Sequence, residues 1–168
     1  MKIVLQGIVG ALFWAGGAVA QDLVYGDDGT EACLSQAEGT ARLDCVGLSA
    51  AACMTDTPDG ETTVGMGGCL DSEYRYWDGQ LNKAYGKLMA MYEANDAEAK
   101  AGGWNAPEQV APLKAMQRAW IAYRDARCDF ERAKWGGGTG GGPATAECLM
   151  RTTAEQTLLL RDGLDGLQ

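Results

Sequence analysis

The sequence predicts an all-α fold: a small disulfide-stapled helical bundle of three main helices, preceded by a cysteine-bearing αα-hairpin. Three observations carry this. Apolar residues recur at threes and fours over long stretches, alternation of the strand type is nearly absent, and six cysteines are spread over a chain of 168 residues.

Taken in order, the first element is not expected to belong to the fold. Lys2 opens a positive segment, Ile3 to Trp14 form a short apolar run, and Ala18-Val19-Ala20 is an A-x-A cleavage site, so residues 1–20 read as a secretory signal peptide cut after Ala20. An uncleaved membrane anchor is the competing reading. It is disfavoured because the run is short and is interrupted by Gln6, Gly7, Gly16 and Gly17. No cysteine follows the cleavage site directly, so no lipid attachment is expected, and the product is periplasmic or secreted without a stable membrane anchor.

Residues 21–68 are expected to form a helical hairpin and a loop. From Asp27 to Met54 the pattern is helical and rich in small residues, with Gly39 as the break and Thr40 as candidate N-cap of the second piece. Thr55 to Gly68 contains Pro58, Gly60, Gly65, Gly67 and Gly68 and reads as an extended loop. A long helix then begins at Cys69, with Leu70, Tyr74, Trp77, Leu81, Tyr85, Leu88 and Tyr92 as its core stripe. Asp96 to Asn105 connects it to the next helix. Pro107 and Pro112 pre-set the first turns of that helix, which runs to about Lys134 with the apolar line Leu113, Met116, Trp120 and Tyr123. Gly136 to Gly142 is expected as a flexible loop. Pro143 opens the last helix, whose inner face would carry Cys148, Thr152, Gln156, Leu159 and Leu160.

The cysteines Cys33, Cys45, Cys53, Cys69, Cys128 and Cys148 are an even set in a small exported chain, where disulfides persist. Fifteen pairings are formally possible. Cys33 and Cys45 stand symmetrically about Gly39, and Cys128 and Cys148 flank the glycine-rich segment, where a bridge would contribute about 3 kcal/mol. That leaves Cys53 and Cys69 for each other. Zinc is a poor alternative, because there is no C-x-x-C and no histidine.

Absence of histidine also removes Ser-His-Asp and Cys-His nucleophile systems and imidazole-bound metals. No cofactor is expected. The formal charge is -9, becoming -10 once Lys2 is removed, so nucleic acid and anionic lipid are repelled and charged partners should be basic.

Three constellations are candidates for chemistry. Asp78 and Asn82 on one helix, Gln117, Arg124 and Asp125 on the next, and Gln156 on the last form a polar set between helices. Trp120 and Arg124 share a helical face, so the guanidinium needs a partner, and Asp78 is the best placed carboxylate. The set serves either helix register or binding, with register favoured. The second is the stretch Gly136, Gly137, Gly138, Thr139, Gly140, Gly141 and Gly142. It lacks the lysine and hydroxyl residue of a phosphate-binding loop and reads as a disulfide-closed loop able to contact a partner. The third is a pair of carboxylates for glycoside hydrolysis drawn from Glu73, Asp78, Glu131 and Glu147, a coincidence expected in so acidic a chain.

The run D-x-x-L-N-x-x-Y at Asp78, Leu81, Asn82 and Tyr85, followed by Q-R-x-W-x-x-Y-R-D-x-x-C from Gln117 to Cys128, resembles the lysozyme inhibitor LprI-like family. Glycines and a second cysteine then follow, as Gly136 to Gly142 and Cys148 do here. The resemblance covers about Cys69 to Leu160, within residues 69–168 taken as the family's helical domain. It implies a non-enzymatic protein that binds a protein partner, a basic lysozyme. An envelope module binding another periplasmic partner or a cell-wall fragment is the alternative. Where the family tends to place an arginine in the last helix, this chain has Gln156.

Overall fold

A computed structural model describes residues 22–166. The expected signal peptide lies outside them. The described residues form five α-helices and one 3₁₀ helix, with no strand: α1 Asp28–Leu34, the 3₁₀ helix Gly39–Cys45, α2 Leu48–Asp56, α3 Thr63–Gly102, α4 Val110–Ala133 and α5 Gly141–Asp165. Three disulfides join Cys33 to Cys45, Cys53 to Cys69 and Cys128 to Cys148. Among these residues no helix is long and apolar enough to cross a membrane.

Helix α3, 40 residues long, is the spine, and it is longer at both ends than its apolar stripe suggests. The stretch expected as loop up to Gly68 is helical from Thr63, because Thr62 caps it by accepting a hydrogen bond from the Gly65 N–H at 3.1 Å. Glycine is needed at Gly65 for another reason: a Cβ there would collide with the backbone of Asp59 and Gly60. The preceding turn therefore folds directly onto the first helical turn, and the Cys53–Cys69 bridge holds the two together. At the far end the expected connection from Asp96 is helical to Gly102. It stops at Gly103, which takes the left-handed conformation while the Trp104 N–H bonds back to the Ala99 carbonyl at 3.0 Å.

Helix α5 lies between α3 and α4, packing along α3 and along α4, whereas α3 and α4 touch each other only slightly. One core cluster joins Val46 and Ala50 from the hairpin side to Leu70 and Trp77 of α3 and to Met150, Ala154 and Leu158 of α5. A second joins Leu81, Ala84 and Leu88 to Leu113 of α4 and Leu160 of α5. Trp77 is fully buried, and its truncation to alanine would cost about 3–5 kcal/mol. Because α5 has neighbours on two sides, Thr152, Thr153 and Thr157 are buried along with its apolar residues, and Leu159, expected inside, is exposed. The Thr157 hydroxyl is satisfied at the Thr153 carbonyl, 2.7 Å away, so a short polar side chain fits where helices approach closely.

Helix α4 is rotated relative to the apolar line read from the sequence. Leu113, Gln117 and Cys128 are buried, with Trp120 and Arg124 partly so, while Met116 and Tyr123 are exposed. Two contacts fix this rotation: the Cys128–Cys148 bridge and a hydrogen bond from Gln156 Nε2 to Gln117 Oε1 at 3.1 Å. Both draw the semi-polar edge of the helix onto α5. Met116, Ile121, Tyr123 and Phe130 stay outside.

Candidate functional site

Three helix-borne polar groups organise the molecule, and two of them act in the same way. Glu73 of α3 is fully buried, and among the described residues it makes no ion pair. Its Oε1 accepts from the Gly47 N–H at 2.8 Å, the Thr30 hydroxyl at 3.0 Å and the Trp77 indole N–H at 3.1 Å; its Oε2 accepts from the Ala50 N–H at 2.7 Å. Gly47 and Ala50 carry orphan amides at the start of α2, so the carboxylate caps another helix from a distance and meets the positive end of its dipole. Asp96 repeats the device for α4, accepting from the Gln109 N–H at 2.9 Å and the Val110 N–H at 3.1 Å. The spine thus starts two of its neighbours. Neither acid was singled out for this in the sequence, because the donors are backbone amides with no side-chain signature.

The third group is Arg124. Its guanidinium lies over the Trp120 ring at 5.1 Å and bonds to Asp125 Oδ1 through Nε at 2.9 Å and Nη2 at 2.8 Å; the side chain is 15 % exposed. The expected pairing with Asp78 is not made. Asp78 instead accepts from Asn82 Nδ2 at 3.0 Å along its own helix. Arginine stacked on tryptophan needs only one carboxylate at its edge, and the adjacent Asp125 supplies it without bridging two helices. Asp78, Arg124 and Asp125 nevertheless act on one phenol: burial pushes the Tyr74 hydroxyl above its usual range, Arg124 opposes that rise, and Asp78, Asp125 and Asp71 add to it. Of the polar set, then, Gln117 and Gln156 join α4 to α5, Asp78 and Asn82 pair within α3, and Arg124 and Asp125 pair within α4.

The carboxylates considered for hydrolysis are dispersed among separate contacts. Glu73 is sealed, Glu131 pairs with Lys134, and Glu147 accepts from Arg151 Nε at 3.0 Å.

The glycine-rich stretch is not an open loop. Gly141 and Gly142 belong to the first turn of α5. The rest is two consecutive tight turns, in which the Gly138 N–H bonds to the Trp135 carbonyl at 2.9 Å and the Gly141 N–H to the Gly138 carbonyl at 3.2 Å. Trp135, half-exposed, lies so close over Gly140 that a Cβ there would collide with its ring. Absence of side chains thus lets an indole fold back onto the turn. Behind it, the Cys128–Cys148 bridge fixes the base.

Trp135 stands as a ridge between two grooves. One, of about 410 Å³, is ionic and lined by Arg127, Glu131, Lys134, Glu147 and Arg151. The other, of about 400 Å³, is mainly apolar, with Met54, Met66, Leu70, Pro143 and Met150 in its wall. An exposed indole, a rigid turn and a charged flank are the ingredients of a protein-contacting anchor.

Comparison with known proteins gives this geometry a context. Residues 53–160 match the family model described as lysozyme inhibitor LprI, a span that takes in α3, α4, nearly all of α5 and the Cys53–Cys69 and Cys128–Cys148 bridges. Its start at Cys53 places that cysteine inside the family region rather than before it. The chain is 30% identical over 139 residues to an uncharacterized 17.7 kDa protein in the puhA 5′ region of Rhodobacter capsulatus, covering 82% of this chain and 85% of that one. It is 33% identical over 106 residues to an uncharacterized protein of Rhizobium meliloti, covering 60% of this chain and 72% of that one. The uncharacterized protein YecT of Escherichia coli is 35% identical over 106 residues, with 61% and 63% covered. No solved structure matches significantly. Through the match that spans its three long helices, the chain belongs to the LprI lysozyme inhibitor family.

Proposed function

We propose that the protein is a non-enzymatic exported binding protein that inhibits lysozyme by direct contact, with Trp135 and the turn Gly136–Gly140 at the centre of the contact. The observation that carries this is the family match over residues 53–160. The three disulfides and the family fit an exported protein. A formal charge of -9 attracts a basic enzyme and raises the rate of encounter at low salt. Trp135 supplies an aromatic anchor on a turn that loses little freedom on binding.

The test is the activity of several purified lysozymes on cell-wall substrate with the protein in micromolar excess at low salt. Inhibition is expected against at least one basic lysozyme, weakening as salt rises. Trp135→Ala, an exposed change, should reduce the affinity about tenfold with the helical signal unchanged. Full activity of every lysozyme would sink the reading. Recovery of another envelope protein or a cell-wall fragment in place of lysozyme would then identify the function as binding without inhibition.

A further inference from the structure

The rotation of α4 leaves a pattern outside that nothing in the described chain covers. Met116, Tyr123 and Phe130 recur every seventh residue, with Ala119, Ala126 and Ala133 three residues after each, which is an a/d repeat sustained over three heptads. All six are exposed: Met116 by 38%, Tyr123 by 58%, Phe130 by 64%, and the alanines likewise. Phe130 is the only phenylalanine among the described residues. The core-facing edge of the same helix is a different one, through Leu113, Gln117 and Cys128. A solvated helical face has no need of a seven-residue apolar period, and bulky residues at a with alanine at d allow a second helix a close approach.

We propose that this seam is the interface of a parallel homodimer, α4 against α4 of a second copy. Charge complementarity selects that occupant and that orientation. With Met116, Tyr123 and Phe130 at a, the flanking g positions are Ala115, Ala122 and Asp129, and the e positions are Trp120, Arg127 and Lys134. In a parallel pair each g residue faces the e residue five further along the other chain, so Asp129 of one copy meets Lys134 of the other, twice by symmetry. Lys134, already beside Glu131 and over the Phe130 ring at 5.7 Å, sits at the edge of the seam. An antiparallel pair would set e against e and g against g, bringing no acid to a base. Arg127, on the e side, is held by Glu155 at 3.2 Å and closes the seam toward α5.

The experiment is sedimentation equilibrium of the purified protein from micromolar to millimolar concentration, with circular dichroism as the check on folding. A mass of twice the chain is expected, and Tyr123→Lys should abolish it. Asp129→Lys should weaken association about tenfold, and adding Lys134→Glu should restore it, since the double reversal recreates the pair with opposite sign. A monomer at every concentration overturns the proposal, as does a dimer insensitive to Tyr123→Lys or to Asp129→Lys. A monomer whose Tyr123→Lys variant loses lysozyme binding would assign the seam to the foreign partner instead. Lysozyme inhibition is measured separately, so failure of one reading leaves the other standing.

Discussion

Glu73 and Arg124 are both charged residues set against a tryptophan in a helical core, and they are satisfied in opposite ways. Glu73 has no ion pair among the described residues and no exposure, and is held by two backbone amides, one hydroxyl and one indole N–H. Arg124 keeps a window to solvent and pairs with a carboxylate that is itself half-exposed. The first arrangement joins α1, α2 and α3 through one carboxylate; the second stays on one helix and its immediate surface. A buried charge is therefore structural glue here in proportion to how many elements donate to it, not to whether it has an ion-pair partner.

That comparison can be broken most easily at Glu73. Glu73→Leu leaves the Ala50 and Gly47 amides and the Trp77 indole N–H without their acceptor, the Thr30 hydroxyl keeping the Cys45 carbonyl, and should lower the unfolding free energy by on the order of 4 kcal/mol in urea denaturation, a large share of the stability of a small domain. A loss under about 1 kcal/mol would show that the hairpin docks without the carboxylate. Arg124→Leu removes a stacked guanidinium and an exposed pair, and should cost about 1–2 kcal/mol, against a change within about 0.5 kcal/mol for the surface variant Arg118→Leu. Equal melting temperatures for the two arginine variants would place Arg124 outside the core.

The smallest effect is spectroscopic. Burial raises the hydroxyls of Tyr25, Tyr74 and Tyr76 above the ordinary tyrosine value, with Asp27 adding to the rise at Tyr25 and Glu31 at Tyr76. Since the folded values lie above the unfolded one, these groups destabilise nothing below about pH 10, and stability falls as pH climbs through the interval between the two values. An absorbance titration should show late ionisation of three of the six tyrosines. In Arg124→Leu, Tyr74 should titrate later still, because the guanidinium opposes its rise. An earlier titration would mean that the cation does not face the phenol.

The long periodic stripe of α3, from Leu70 to Leu88, was legible in the sequence because packing on one face imposes one period. Its glycine-rich start was not. Composition alone signals a loop there, whereas close approach of the Asp59–Gly60 backbone to Gly65 makes glycine compatible with helix. The face of α4 was misread for a related reason. Large apolar residues stand on both sides of it, Leu113 and Trp120 inside and Met116 and Tyr123 outside, and what turns the helix is a bridge and a glutamine pair on the inner edge. Of the candidate site, the glycine turn could be located but not shaped, since its conformation depends on Trp135 covering Gly140. The capping roles of Glu73 and Asp96 had no trace at all, because a sequence does not show which amides are orphaned at a helix start until the helices are placed.

The central position of α5 has a consequence for the order of events in the life of the chain. Both core clusters draw residues from it, although it follows α3 and α4 in the sequence. Before α5 is made, α4 is tied to α3 chiefly at its start, through Asp96 and Leu113. The helix that packs along both of them comes last, with Cys148 and the residues behind it. The hairpin and the start of α3, joined by Glu73 and the Cys53–Cys69 bridge, need nothing from α5 for that joint, so it is the docking of α4 that waits for the last helix.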